Sequence, residues 1–243
     1  MNNHFLYKNY KVVILVISTI LFSLGAYFHE INNFPLYRLI RGVIPISFLG
    51  LLLFYHGKKV YQPLIYFLFF YGLSSIATVW YEINSFAILS LIFNLLSFLV
   101  LIVSLLPKVD LKKLKGLFLI GFILMVLING YLIFSLVKEI QDFSLSSLHF
   151  AFVVISTMAL ILSAFLVLLY NHTYSTKGSL YFSLFVFFIV FSEVFRALAY
   201  YNLAFGDIDV YIARILLIIA MCTLVQYSMV KKKNNEHLNT KYF

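Results

Sequence analysis

The stretch SLYFSLFVFFIVFSEVFRALAY, residues 179–200, decides the fold class. It is long enough to cross a bilayer as a helix, it is almost wholly apolar, and it is interrupted at Glu193 and Arg196. A few residues on, the apolar run 210–230 is interrupted in the same way at Arg214. Ionisable groups in hydrocarbon are expensive, so they belong inside a helix bundle or a wet cavity, where they mark a working site.

Outward from this stretch the same composition continues. Of the 243 residues, 63% are hydrophobic and 11% charged, more apolar surface than a water-soluble domain has polar atoms to cover. The sequence predicts an all-α, polytopic transmembrane helix bundle. Eight segments approach the roughly 20 apolar residues a crossing needs: 12–28, 36–55, 60–81, 83–106, 114–137, 145–170, 179–202 and 210–230. Together they form one domain, 1–230, followed by a basic tail, 231–243. In the second segment Arg38 and Arg41 shorten the charge-free run and Pro45 predicts a kink. The spans 66–80 and 181–196 hold equivalent places in two four-helix halves, which hints at an internal repeat. Because no soluble stretch follows the first span, it reads as a retained helix rather than a cleaved signal.

Charge orients this bundle. Thirteen of the 18 basic residues fall on the side that holds both termini, whereas the opposite loops hold Arg38, Arg41 and Lys138. Positive-inside bias therefore places both termini in the cytoplasm, which an even number of crossings satisfies. The expected location is the cell inner (cytoplasmic) membrane. Distributed over short loops, the net charge of +9 points to lipid head groups rather than nucleic acid. The single cysteine, Cys222, excludes an intrachain disulfide. His4, His29, His56, His149, His172 and His237 lack metal-ligand spacing, and no nucleotide or cofactor motif is present. Neither a metal nor a cofactor is expected.

With a helical rise of about 1.5 Å per residue, Arg196 lies roughly 9 Å, Glu193 roughly 13 Å and Arg214 roughly 6 Å below the outer boundary. Glu193 and Arg196, three apart, share a helical face, and the short connection to the last span brings Arg214 within reach of the same carboxylate. Two arginines around one glutamate leave an excess positive charge that attracts an anion such as a lipid phosphate. Ser192 and Tyr211 flank the charged residues on the same two spans, and Asn129, His149, Ser74 and Ser75 fall at compatible depths. These residues complete a candidate substrate-binding set around Glu193. The alternative is a buried ion-pair knot that joins two helices, or a gate in a small transporter or sensor.

Three stretches of the carboxyl-terminal third carry a resemblance: VVISTMALILSAFL from Val153, SLYFSLFVFFIVFSEVFRAL from Ser179 and YIARILLI from Tyr211. In order and spacing they are similar to the last three helices of the YhhN-like family of eight-span membrane proteins, which includes lysoplasmalogenases. The resemblance implies hydrolysis of the vinyl-ether bond of a lysolipid, releasing a fatty aldehyde. Such a bond yields to protonation by a carboxylic acid followed by addition of water. Ser192-Glu193 matches the family's Ser-Asp, which makes Glu193 the expected catalytic acid, and Arg214 stands where the family often has Gln. Gly72-Leu73-Ser74-Ser75 falls where the family has Gly followed by Asp, so one carboxylate is missing. Two arginines beside Glu193 favour its ionised form, which suits binding of a phosphate head group better than donation of a proton.

Overall fold

The computed structural model describes residues 9–56, 61–109, 115–201, 203 and 206–240, excepting the side chains of 117, 118, 122, 125, 126, 129, 132, 133 and 231–240. Among the described residues eight α-helices follow one another: α1 (Tyr10–Glu30), α2 (Phe34–His56), α3 (Gln62–Ala77), α4 (Asn84–Leu105), α5 (Gly116–Ile140), α6 (Ser147–Tyr174), α7 (Lys177–Tyr200) and α8 (Asp207–Thr240). Single 3-10 turns at Thr78–Trp80, Leu106–Lys108 and Gln141–Phe143 extend α3, α4 and α5. Among the described residues there is no β-strand.

Among the described residues seven helices are long and apolar enough to cross a membrane: α1, α2, α3 with its 3-10 turn, α4 with its turn, α6, α7 and Asp207–Val230 of α8. The 25-residue α5 occupies the position of the expected fifth crossing. α8 runs past residue 230, where the tail was expected to begin, as far as Thr240.

Local chemistry sets the helix ends. Pro63 stands in the first turn of α3, where its missing N–H has no helical acceptor to satisfy. The Ser146 side chain accepts from the backbone N–H of His149 at the start of α6, and Thr176 and Ser179 form a reciprocal capping box at the start of α7. Between α1 and α2 the chain turns through Asn32 at φ 55°, a left-handed conformation that asparagine tolerates better than most residues.

Arg38 and Arg41 do not lie in an outer loop, as the charge pattern suggested. Both belong to α2, a single helix that also contains Pro45, and Arg41 is 5% exposed. Buried partners make this tolerable, as described below.

With apolar surface on both sides of every lipid-facing helix, close packing and hydrogen bonds hold the helices together. α2 and α3 approach at small residues: a methyl group on Gly42 would lie 2.6 Å from Ile76 Cγ1 and 3.0 Å from the Ile76 backbone nitrogen. α3 and α4 exchange hydrogen bonds, the Ser74 hydroxyl donating to the Ser90 carbonyl at 2.9 Å and the Ser90 hydroxyl to the Ser74 carbonyl at 3.0 Å. Ser156 ties α6 to the Leu91 carbonyl of α4, and Ser183 ties α7 to the Val167 carbonyl of α6. At the centre, Phe67 stacks on Tyr71 and meets Phe98 and Phe185 edge-on, joining α3, α4 and α7.

The packing order repeats between the halves. α2 packs on α3 and α3 on α4, as α6 packs on α7 and α7 on α8, and α4 lies against α6 as α8 lies against α2. α5 is peripheral, packed against α6, and its last turns close a small separate cluster of Ile140, Leu91 and Val153.

Gly42→Ala is expected to lower stability by about 1–3 kcal/mol, because the added methyl meets backbone that cannot yield. Gly50, with nothing within 4 Å of the same position, serves as control. Gly50→Ala should leave the melting temperature in detergent unchanged or slightly raised, and equal melting of both variants would show that the α2–α3 approach is not tight.

Candidate functional site

The end of the bundle where α1 and α7 finish and α2 and α8 begin encloses a cavity of about 370 Å³. Arg38 and Arg41 of α2, Asn94 of α4, Val153 and Leu160 of α6, and Glu193 and Arg196 of α7 line it, and the last turns of α5 form one wall. The volume falls in the range of small-ligand pockets.

The polar centre of this cavity is a triad. Glu193, 6% exposed, accepts at Oε1 from Arg41 Nη2 at 2.5 Å and at Oε2 from Arg196 Nη2 at 2.5 Å and Nε at 3.0 Å. The Tyr71 hydroxyl accepts from Arg41 Nη2 at 3.2 Å and donates to Oε1 of Glu193. Helix geometry explains the convergence. Arg41 lies seven residues into α2 and Glu193 seven before the end of α7, each about 10 Å from the same end of the bundle. Four donors thereby converge on the two carboxylate oxygens, the compensation a buried charge requires.

Around the mouth the charges pair at lower cost. Arg38 donates to Glu82 at 2.6 Å and to the Thr78 carbonyl at 3.3 Å, with its guanidinium over the Tyr200 ring. His29 meets Asp207 at 3.2 Å. Tyr81 packs edge-on against Tyr200. Burial pushes the Tyr81 and Tyr201 phenols above their ordinary range, so both keep their protons and remain hydrogen-bond donors.

The structure brings together part of the predicted set. Glu193 and Arg196 pair as their spacing required. Arg214 does not reach that carboxylate: its Nη2 donates to the Tyr37 carbonyl at 3.1 Å and its guanidinium lies over the Tyr37 ring, 4.4 Å from the centroid. Its place beside Glu193 is taken by Arg41. Ser192 ties α7 to the Ala213 carbonyl of α8 at 2.8 Å, and Ser74 is spent on Ser90, so both join helices rather than face the cavity. Ser75 is buried and does not line the cavity. His149 supports the wall from behind, its Nε2 sharing a hydrogen bond of 3.0 Å with the Tyr81 hydroxyl. Tyr211 donates to Glu30 at the rim. The side chain of Asn129 lies outside the described residues.

Two participants were not anticipated. Arg41 stood in a segment whose charges suggested a loop, although its place beside Gly42 and inside the run LIRGVIPI was a legible sign of burial. Tyr71 is one of 18 tyrosines and nothing in the sequence separates it from the others. Asn94 also lines the cavity, and its side-chain amide has no hydrogen-bond partner among the described residues.

The chain matches no protein-family model, no curated protein and no solved structure. The chemistry of the cavity therefore rests on its own residues. A carboxylate that accepts from two guanidinium groups and a phenol is an anchor for those groups. Beyond it the arginines offer further N–H donors to the cavity, next to the apolar side chains of Leu91, Val153 and Leu160.

Glu193→Met is expected to destabilise the protein by about 3–5 kcal/mol, because it strands Arg41 and Arg196. Adding Arg41→Met should restore part of the loss, since Arg196 is half-buried and can turn toward the mouth. Thermal unfolding of the single and double variants tests this, and a Glu193→Met protein as stable as the parent would show that the triad does not hold the helices.

Proposed function

We propose that this is an eight-span protein of the inner membrane, with both termini in the cytoplasm, that binds an anionic amphiphile of the lipid or lysolipid class in the outer half of the bilayer. One observation carries the reading: at the triad two arginines share one carboxylate, and they face a cavity whose remaining wall is largely apolar. The excess charge attracts an anionic head group, and the apolar wall receives its chain.

The same geometry favours binding over hydrolysis at Glu193. Cleavage of a vinyl ether needs a proton delivered to carbon. Both oxygens of Glu193 are engaged as acceptors, so neither presents a proton to the cavity. The relation to the YhhN-like proteins accordingly concerns architecture and ligand class in this proposal, with Glu193 as the residue that positions Arg41 and Arg196.

Purified protein in neutral detergent is expected to retain a lysoplasmalogen without releasing aldehyde, and Arg196→Met should weaken that retention by roughly tenfold. Native mass spectrometry and an aldehyde assay report the two quantities separately. Aldehyde release that vanishes in Glu193→Gln would replace binding with hydrolysis as the function of the site.

A further inference from the structure

Arg214 is 3% exposed, yet among the described residues it has no carboxylate partner. Its Nη1 is buried without any hydrogen bond. Its compensation is the Tyr37 carbonyl and the face of the Tyr37 ring. That carbonyl already lies within the helical ladder of α2, so it does not depend on Arg214. Gly25 of α1 accommodates the guanidinium, since a methyl group there would lie 3.0 Å from Nη1.

For stability alone this is a poor use of a buried position. Replacing buried ionic groups with apolar side chains of similar volume is often neutral or stabilising, and here the charge lacks even the partner that an ion pair would give it. The position in the fold points elsewhere. Tyr37 and Ala213 both line the cavity, so Arg214 sits directly behind its wall. It lies seven residues into α8, about 10 Å from the end of the bundle and level with Arg41 and Glu193. In a weakly polarisable interior a charge at that position acts on the cavity without touching its contents.

We propose that Arg214 sets the charge selectivity of the cavity from behind the Tyr37 wall: its unneutralised guanidinium destabilises the free protein and is compensated when an anionic head group occupies the site. This rests on the anionic-amphiphile reading given above and assigns Arg214 a positioning role through its field, with no contact to the ligand. Removing the charge should therefore help the empty protein and harm the occupied one. A purely structural arginine would not produce that pairing of effects.

The experiment uses the full chain in neutral detergent and three probes: dodecyl phosphate, dodecanol and inorganic phosphate. Melting temperature without probe and affinity for each probe are measured for the parent, Arg214→Met and Arg214→Lys. Arg214→Met is expected to melt higher than the parent without probe and to bind dodecyl phosphate on the order of tenfold more weakly, the scale of one unit charge acting across about 10 Å. Its affinity for dodecanol should be unchanged, and Arg214→Lys should retain most of the affinity for dodecyl phosphate. An Arg214→Met protein that melts lower, fails to fold, or binds dodecyl phosphate as the parent does overturns the inference and makes Arg214 a structural contact of α1, α2 and α8. A parent that does not bind dodecyl phosphate overturns the amphiphile reading itself. Equal affinity of the parent for inorganic and dodecyl phosphate, with the same loss in Arg214→Met, supports the charge role and assigns the anion to a free phosphate.

Discussion

One carboxylate held between two guanidinium groups organises the cavity end of this bundle. Glu193 of α7 receives Arg41 from α2 and Arg196 from its own helix, and Tyr71 of α3 completes the contact. The neighbouring helices α2 and α3 are thus joined to the distant α7 at one buried point. In an apolar surrounding such a contact is directional in a way that leucine packing is not. Each charge is tolerable only with the others in place, so the helices must meet in this register.

The triad also explains how the cavity combines opposite properties. Its arginines are fixed by their shared carboxylate and yet exceed it in charge, while Leu91, Val153 and Leu160 extend the space as an apolar chamber. The charged and the apolar side chains thus border a single space. Asn94 also lines the cavity, buried and with its amide uncommitted among the described residues.

Much of the architecture was legible because the bilayer leaves few alternatives. Long apolar runs must be helices, and seven of the eight expected spans correspond to helices long and apolar enough to cross, with α5 in place of the remaining one. The pairing of Glu193 with Arg196 followed from helical periodicity. What the residues did not reveal was lateral neighbourhood. Arg214 is next to α7 in sequence order, which made it the natural partner of Glu193, but α8 turns that side chain toward α1 and α2. Arg41, 152 positions away in the chain, takes the contact instead. Hydropathy reports depth and periodicity reports face, but which faces meet depends on close approaches such as that of Gly42 and Ile76, whose partners no single segment names.

The exchange of hydroxyls and carbonyls between Ser74 and Ser90 carries a mechanical consequence. To slide α3 along α4 by even one residue breaks both bonds together, and hydrocarbon offers no water to replace them. The two helices are therefore keyed into a single stiff plank. Tyr71 and Asn94, each within about one turn of that pair of serines, are held in register by it, so the triad's phenol and the cavity's amide share one support.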